Sequence, residues 1–312
     1  MILDEILLYN RRTGLIEKEQ VYGRQWMDIF YGRPWGRRIT DHLLCKHPLS
    51  RLYGLMQKSK WSRRKIAPFA AQYGIDLSEA IVPAGGFDSF NDFFIRRLKP
   101  AARPLPKDPS LLISPADSRL QVFEVADDRP LTVKGTVLTL PQLLGVPNLE
   151  PAFRGGLCLI FRLAPCDFHR FGYMEGGVQG PVHTIGGPLH SVSPLSLRHR
   201  PDIHSTNFRQ WCFVQSPRLG TMIQVEVGAM MVGSIVQRLP EGGPCQRGHE
   251  KGYFQFGGST VIGILEHDHA CIDPDILDNS RKGIETLVRY GEPIGTILEQ
   301  WKRLQPSAPM PF

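Results

Sequence analysis

The chain is organised around one stretch near its C-terminal end: Phe254-Gln255-Phe256-Gly257-Gly258-Ser259-Thr260-Val261-Ile262. The aromatic and β-branched residues favour a β-strand, whereas the paired glycines weaken a regular ladder and are typical of a bulge or bend. On these residues alone, a Gly-Gly turn between two strands is the simpler interpretation. The chemical interpretation is that the Ser259 hydroxyl attacks the carbonyl of Gly258 and cleaves the chain in this bend. The rest of the chain has to decide between them.

Length, composition and cysteine spacing are those of a globular protein in a reducing compartment. The 312 residues can form one large domain or two ordinary ones, with 42% hydrophobic and 21% charged residues. No run reaches the roughly 18 apolar residues that a membrane-spanning helix needs, and the acidic N-terminus lacks the features of a signal peptide. The six cysteines are scattered without a Cys-x-x-Cys pair, which argues against a disulfide framework and against a zinc site.

Positive charge is concentrated in the first third of the chain. Residues 1–105 contain 18 basic and 10 acidic side chains, whereas the remainder contains 19 and 20. The most basic run, residues 58–65, places Trp61 among cations, which suits an anionic membrane surface. A solvated basic face, with Ser62 capping an exposed helix, is an equally good interpretation. We find no zinc-finger, helix-turn-helix or RNA-binding motif, so nucleic acid is not an expected partner.

The pattern of apolar residues changes near residue 105. Before it, Tyr22–Phe30, Ile39–Tyr53 and Asp88–Pro100 have helical spacing, and the proline-rich residues 100–110 mark a boundary. Beyond it, short β-rich runs alternate with turns, which favours an antiparallel sheet. These runs are Leu111–Ser114, Gln121–Glu124, Leu131–Val133, Leu157–Leu163, Met222–Val227, Val232–Gln237, Phe254–Phe256 and Thr260–Leu265. We therefore predict a helical region, residues 1–105, and a β-rich domain, residues 106–312, that ends with a helix from Pro293.

Short motifs follow one another along the chain. They are Phe93-Phe94-Ile95-Arg96-Arg97-Leu98-Lys99-Pro100-Ala101-Ala102-Arg103-Pro104, Ser114-Pro115-Ala116-Asp117, Lys134-Gly135 with Leu143-Leu144-Gly145, Pro165-Cys166-Asp167-Phe168-His169-Arg170, Val227-Gly228-Ala229 with Val232-Gly233-Ser234-Ile235, Lys251-Gly252-Tyr253-Phe254 and Gly257-Gly258-Ser259-Thr260-Val261. Each motif is weak alone, but the ordered set resembles the phosphatidylserine decarboxylase family, pyruvoyl-dependent enzymes that make phosphatidylethanolamine. The resemblance is strong over residues 88–295 and looser before them, in the manner of the family's second bacterial type. The pattern of apolar residues and the resemblance together predict an α+β fold, with a helical N-terminal region packed on a mostly antiparallel β domain.

The resemblance implies self-cleavage between Gly258 and Ser259, which gives a chain of residues 1–258 and a chain of residues 259–312. Ser259 would become a pyruvoyl group, a covalent cofactor that forms a Schiff base with the substrate amine and accepts the electrons released with carbon dioxide. Asp117 matches the carboxylate of the family's Asp-His-Ser arrangement, which activates the serine. His169 matches the histidine proposed to transfer a proton during decarboxylation. No metal is implied.

One departure from the family pattern concerns this machinery. A second histidine usually follows three residues after the first and belongs to the Asp-His-Ser arrangement, but that position here is Gly172. Three outcomes stay open: His169 serves both steps, His183 or His190 takes the missing role, or the chain is an uncleaved relative. A smaller departure is Ser118, where the family commonly has glycine.

The leading hypothesis is a phosphatidylserine decarboxylase that binds the cytoplasmic face of the cell membrane peripherally. Its partners would be phosphatidylserine, the anionic membrane surface and the two chains of its own cleavage, with a homodimer as a further assembly to test. One alternative keeps the pyruvoyl chemistry but acts on another amino acid or headgroup, which the altered residues 172–175 motivate. The other is a non-catalytic lipid-binding relative, which Gly172 motivates.

Overall fold

The structure, a computed structural model, describes residues 5–125, 131–133, 136–147, 151–230, 234–255 and 259–298. Its strands are β1 (Leu7–Asn10), β2 (Leu15–Lys18), β3 (Leu111–Ile113), β4 (Ser118–Glu124), β5 (Leu131–Val133), β6 (Thr136–Leu138), β7 (Leu157–Leu163), β8 (Arg170–Gly172), β9 (Gly177–Gln179), β10 (His183–Ile185), β11 (Arg209–Ser216), β12 (Gly220–Gly228), β13 (Ile235–Gln237), β14 (Gly243–Cys245), β15 (Glu250–Phe254), β16 (Ser259–Leu265), β17 (Ala270–Ile272), β18 (Glu285–Val288) and β19 (Pro293–Ile297). Its α-helices are α1 (Arg24–Phe30), α2 (Pro34–Ile39), α3 (His47–Lys58), α4 (Ile66–Tyr73), α5 (Phe90–Phe94), α6 (Leu140–Leu144), α7 (Pro194–Leu197), α8 (Ile203–Thr206) and α9 (Pro274–Arg281).

One large sheet dominates the β-rich part. In the described residues it has 11 strands, in the order β14-β9-β11-β12-β16-β7-β4-β18-β1-β2 with β10 on β11. The strands at its centre, β12, β16, β7 and β4, pair antiparallel, whereas β1 joins β18 in parallel. Smaller sheets of β13-β15-β8, β17-β19-β3 and β5-β6 accompany it. A mostly antiparallel sheet was predicted, and this part of the prediction is confirmed.

The large sheet has a hydrophobic core on each face, because successive side chains of a strand point to opposite sides. Val261 and Leu265 of β16 lie in the first core, where Phe171 of β8 and Phe254 of β15 pack against the same face. Ile262 and Ile264 lie in the second core, which α6 covers with Leu140, Leu143 and Leu144. Burial on both faces explains why β7 and β16 are nearly continuous apolar runs. Strands β4 and β12 alternate instead, and their polar residues Gln121, Gln224 and Glu226 are buried as well.

The N-terminal helices dock on the loop that follows β10. The Ser191 N–H donates to the Tyr31 hydroxyl at 2.8 Å, and the Leu189 N–H donates to the Cys45 carbonyl at 2.9 Å. A third, aromatic core holds α4 and α5 together, built from Ile66, Phe69, Ala80, Phe87, Phe90, Phe93 and Phe94. The predicted α+β fold, with a helical N-terminal region packed on the β domain, is therefore confirmed, while the division at residue 105 stays a prediction.

Three local features differ from the sequence interpretation. Residues 7–18, expected to be part of a helical region, form the hairpin β1-β2, because β1 gains a pairing partner in β18. The segment from Pro293, expected to begin a helix, is strand β19 between β17 and β3. Ser62 is buried rather than an exposed cap: its hydroxyl donates to the Gln57 carbonyl at 2.8 Å and accepts the Phe90 N–H at 2.8 Å.

A buried ionic network connects the N-terminal segment to the centre of the sheet. Glu19 pairs with Arg119 of β4 at 2.8 Å and with Arg162 of β7 at 2.8 Å. Arg119 also pairs with Asp167, and Arg162 with Glu285 of β18 at 2.5 Å. Burial opposes ionisation of Glu19, but the fields of Arg162 and Arg119 outweigh it and lower the pKa of this carboxyl below its ordinary 4.5. Glu19 therefore stays ionised in the folded protein at neutral pH.

We expect Glu19→Gln to lower the free energy of unfolding by about 1–3 kcal/mol at pH 7, because two buried arginines lose charged hydrogen bonds while keeping Asp167 and Glu285. Urea unfolding measures the loss. The matched control is Glu5→Gln, which removes a carboxylate from an exposed pair with Lys18 at 2.7 Å and should cost about 0–1 kcal/mol. Equal effects of the two substitutions would contradict a structural role for the network.

The stabilisation that Glu19 provides has a defined pH dependence. Because the folded pKa of Glu19 lies below its unfolded value, its contribution is complete above the unfolded pKa and is lost as the pH falls through the folded one. The difference in unfolding free energy between wild type and Glu19→Gln should be constant above about pH 5.5 and shrink below about pH 4.5. A difference in unfolding free energy that grows on acidification would contradict a lowered pKa of Glu19.

Candidate active site

The predicted site residues lie along one edge of the large sheet, where β4 and β16 begin and β7 and β12 end. We call it the Ser259 edge. Across it, Ser259 pairs with Leu163 at the end of β7 and with Gly228 at the end of β12. Asp117 immediately precedes β4, and His169 follows β7 within the loop that leads to β8. Antiparallel order thus brings together segments that are far apart in the sequence.

Ser259 is the first residue of β16 and is fully buried. Its side chain shares a face of the strand with Val261, and so points toward the first core and the side that β8 and β15 cover. Within the described residues, its Oγ has no hydrogen-bond partner. An unsatisfied buried hydroxyl costs about 1–3 kcal/mol, so it needs an explanation other than stability. Gly258 and Gly257 lie outside the described residues.

His169 is buried at the start of the β8 segment. Its Nδ1 lies 3.0 Å from the Asp167 carbonyl, and the Phe94 ring lies against it with centroids 3.9 Å apart. A carbonyl oxygen only accepts, so Nδ1 carries the proton and Nε2 of the neutral ring holds the lone pair. The Phe254 N–H donates to the His169 carbonyl at 2.9 Å, which ties His169 to the strand that precedes Ser259.

Asp117 is held from two sides. Its Oδ1 and Oδ2 accept from Arg103 Nε at 2.8 Å and Nη2 at 2.6 Å, and Oδ1 also accepts the Tyr290 N–H at 2.8 Å. Arg103 pairs with Glu79 at 2.9 Å as well. Strand β7 lies between β4 and β16, so about 10 Å separates the main chain at Asp117 from that at Ser259.

Gly172, which replaces the family's second histidine, lies where no side chain fits. A Cβ there would lie 2.2 Å from the Tyr290 hydroxyl and 2.8 Å from the His249 carbonyl. The Tyr290 hydroxyl donates to the Gly248 carbonyl at 2.9 Å, and burial raises the pKa of Tyr290 well above its ordinary 10. Tyr290 is therefore a neutral donor that fills the space, not a base.

The rings of the two histidines proposed as replacements contact residues other than Ser259. His183 is exposed on β10, with its ring stacked on Trp211 at 4.3 Å between centroids. The His190 ring is buried, and its Nε2 lies 3.0 Å from Arg200 Nη1. Burial, reinforced by Arg200, lowers the pKa of His190. His190 approaches the Ser259 edge only through its main chain, since Asn207 Nδ2 donates to its carbonyl and to that of Gly228, both at 2.8 Å.

An apolar cavity of about 370 Å³ opens between the N-terminal helices and the Ser259 edge. The helical region contributes Tyr22, Trp26, Met27, Phe30, Leu44 and Tyr53, and the β domain contributes Leu163, Ala164, Pro165, Val192 and Met230. Since Leu163 pairs with Ser259, the cavity reaches the strand next to the serine. Its lining suits the apolar part of an amphipathic molecule.

The sequence interpretation named Asp117, His169 and Ser259, and the structure places all three at the Ser259 edge. It missed Tyr290, the partner of both Asp117 and the Gly172 space, because no spacing pattern marks this residue. It also missed His204, which is buried on α8 and whose pKa is lowered to about 4 by burial. Motif residues 134–135 and 232–233 lie outside the described residues. Within those, we find no cluster of three or more metal-ligating side chains.

Comparison with known proteins gives one consistent result. A family model described as phosphatidylserine decarboxylase matches residues 90–296. The chain is 39% identical over 292 residues to the phosphatidylserine decarboxylase proenzyme of Clostridium botulinum (strain Alaska E43 / Type E3), covering 93% of this chain and 99% of the relative. The proenzymes of Clostridium beijerinckii (38%, with 93% and 99% covered) and Desulfitobacterium hafniense strain Y51 (39%, with 93% and 98% covered) are similar to it as well. The resemblance inferred from the motifs is thereby confirmed, and the chain belongs to the phosphatidylserine decarboxylase family of carboxy-lyases.

Proposed function

We propose that this protein decarboxylates phosphatidylserine to phosphatidylethanolamine after cleaving itself between Gly258 and Ser259. The observation that carries the proposal is the buried Ser259 hydroxyl, which lacks a hydrogen-bond partner within the described residues. It lies at the same sheet edge as Asp117 and His169. Other buried hydroxyls also lack a partner within the described residues, among them those of Ser50, Ser193 and Thr260. What distinguishes Ser259 is that its unpaired hydroxyl lies at this shared edge and directly follows the peptide bond that it would attack.

His169 is the base that we assign to Ser259. Its carbonyl accepts the N–H of Phe254, which lies in the core toward which Ser259 points, and the Nδ1 contact with Asp167 at 3.0 Å makes Nε2 the nitrogen that can accept a proton. The ring takes the Oγ proton as Oγ bonds to the Gly258 carbonyl carbon, and returns it to the Ser259 nitrogen as the peptide C–N bond breaks, which leaves an ester. Removal of the Ser259 α-proton then expels the Gly258 carboxylate and leaves dehydroalanine. Its imine tautomer is hydrolysed by water, which gives a pyruvoyl group at position 259 and releases ammonia. With Gly172 in the chain, His169 serves both this step and the later proton transfer.

Asp117 contributes a fixed negative charge near this transfer. Arg103 and the Tyr290 N–H hold its carboxylate in one orientation, so it need not reorganise as the reaction proceeds. It stabilises the positive charge that develops on a histidine ring when that ring accepts a proton. Arg103 in turn acts as a positioning residue, because it acts through Asp117.

Ser259 fits the role of a pyruvoyl precursor. Its residue is anchored in the centre of the sheet between β7 and β12, so a new chain end at this position stays in place after cleavage. Once formed, a pyruvoyl group supplies a carbonyl that binds the substrate amine and withdraws electrons from the breaking carbon–carbon bond. The neighbouring cavity, whose lining is mostly apolar but includes Glu19 and Arg162, accommodates part of the lipid, and His169 holds the proton that replaces carbon dioxide.

Peripheral membrane binding supplies the substrate. No helix in the described part of the chain is long and apolar enough to cross a bilayer. Helix α3 instead exposes an apolar face, with Leu52 57%, Leu55 65% and Met56 58% accessible, and Trp61 follows it at 72%. The basic residues of the 58–65 run surround this face. Apolar side chains flanked by cations are typical of a surface that inserts shallowly into an anionic bilayer, here on its cytoplasmic side.

We expect the purified protein to consist of two chains, and Ser259→Ala to remain one. Intact mass under denaturing conditions would show residues 1–258 and a small chain whose first residue has the mass of pyruvoyl. The matched control is Ser118→Ala, which removes another fully buried hydroxyl at the same edge and should still be cleaved. A single uncleaved mass for the wild type would contradict self-processing and favour the non-catalytic alternative.

Restoring the family's histidine at position 172 should lower the stability of the folded protein. We expect Gly172→His to destabilise the fold by about 1–3 kcal/mol or more, because its Cβ meets Tyr290 and the His249 carbonyl. Gly186→His is the control, since nothing lies within 4 Å of a Cβ at Gly186. Adding Tyr290→Ala to Gly172→His should recover part of the loss in urea unfolding, whereas strictly additive effects would show that the ring is not the obstacle.

Vesicle binding should depend on the exposed face of α3. We expect Leu52→Ser with Leu55→Ser to weaken binding to phosphatidylserine vesicles about tenfold or more, because apolar area is no longer buried. The control, Val178→Ser, alters a side chain that is 54% exposed on β9. Raising salt from about 0.1 M to about 1 M should weaken binding further through screening. Unchanged binding in co-sedimentation would place the membrane contact elsewhere.

A further inference from the structure

A second cavity, of about 650 Å³, lies on the other side of the segment that carries His169. The residues 163–165 line the apolar cavity, whereas Phe168 and Arg170 line this one. Among the described residues, five cationic side chains line it and one carboxylate, Glu250; the cations are Arg97, Lys99, Arg103, Arg170 and Arg238. His249 and Tyr290 complete its polar wall.

Part of this positive charge is compensated. Glu250 accepts from Arg170 Nη1 at 2.9 Å on both oxygens and pairs with Arg238 at 2.6 Å. Both guanidinium groups also lie over the Tyr253 ring, at 5.0 and 5.3 Å from its centroid. One carboxylate thus serves two arginines, which leaves an excess positive charge on this wall. The remaining N–H groups of Arg170 donate to the Ile95 carbonyl at 2.9 and 2.7 Å, so this wall supplies a positive field more than free donors.

The opposite wall is not compensated in the same way. Arg103 has Asp117 and Glu79 behind it, but Arg97 and Lys99 are exposed and, within the described residues, form no hydrogen bond or ion pair through their side chains. Even when Asp117 and Glu79 are counted, the cations around the cavity exceed the carboxylates by two. Like charges gathered around one concavity repel each other unless an anion lies between them.

We propose that this cavity binds a phosphate group, carried by a small phosphorylated molecule or by a lipid headgroup. Guanidinium forks and an ammonium are the side chains that recognise phosphate oxygens, and the volume exceeds that of phosphate alone, so it admits the group to which phosphate is attached. Ile81 lines the cavity, and with Val82 it is about half exposed, at 50% and 46%. An apolar mouth beside a cationic wall is compatible with a membrane-bound source.

The site is separate from the proposed chemistry at Ser259. Arg97 and Lys99 belong to the 93–104 motif, but the self-processing steps give them no task. Arg103 and Tyr290 nevertheless both line the cavity and hold Asp117. A phosphate group bound in the cavity would therefore contact two residues that orient Asp117. The proposal stands whether or not the chain cleaves itself, because both walls lie in residues before position 259 except for Tyr290.

The test compares Arg97→Gln/Lys99→Gln with the wild type. The matched control is Arg281→Gln/Lys282→Gln, which removes the same charge from two exposed residues at the end of α9, outside the cavity. Equal thermal midpoints in chloride buffer would show that both double variants fold. The first arm titrates inorganic phosphate at constant ionic strength and follows the phosphorus-31 NMR line. The second arm measures co-sedimentation with phosphatidylcholine vesicles that contain phosphatidylglycerol.

We expect the wild type and the control to bind alike. The cavity variant should bind at least about tenfold more weakly, since two charged contacts are lost. A difference in the phosphate arm assigns the site to soluble phosphorylated ligands as well as lipids. A difference confined to the vesicle arm assigns it to a headgroup phosphate. If the cavity variant matches the control in both arms, the cavity is not an anion site and the proposal is overturned, with no bearing on cleavage at Ser259.

Discussion

The rest of the structure depends on a buried set of charges at the Ser259 edge. Glu19 lies between Arg119 and Arg162, and those arginines extend the network to Asp167 and Glu285. Such pairs add little net stability compared with apolar residues, but removing one partner leaves an uncompensated buried charge. The network therefore admits few alternative arrangements. It fixes β4, β7, β18 and the N-terminal segment relative to one another, and this fixed edge carries the groups to which we assign chemistry.

The network also reaches the proposed base. Asp167, paired with Arg119, accepts the Ala164 N–H at 2.6 Å, which shapes the loop after β7. The carbonyl of Asp167 accepts a hydrogen bond from His169 Nδ1 at 3.0 Å. One residue thus connects the ionic network through its side chain to the tautomer of His169 through its main chain. An N-terminal glutamate remote in sequence from the 88–295 motif set is consequently connected to the histidine through Arg119 and Asp167.

The sequence could predict the central strands but not their distant partners. Runs such as Leu157–Leu163 and Thr260–Leu265 are apolar on both faces, and burial of both faces is a local signal. The pairing of β1 with β18 joins residues 7–10 to residues 285–288, and nothing within the first ten residues indicates it. The same holds for Pro293–Ile297, where Ile294 and Ile297 suit a helix as well as a strand. Pairing with β3 and β17 decides the outcome, so tertiary contacts override local propensity.

For the site, the order of the motifs was sufficient to name Asp117, His169 and Ser259, which the structure places at one edge. It could not show what fills the space of a missing side chain. Gly172 indicates only that a Cβ is absent; the ring that fills the space belongs to Tyr290, on the other side of the edge. The Tyr290 main chain holds Asp117 while its ring occupies the Gly172 space. In this chain, the residue that orients Asp117 is therefore also the residue that leaves no room for a side chain at position 172. The role that we propose for His169 fits this packing, because the Phe94 ring and the Asp167 carbonyl hold its imidazole in one orientation.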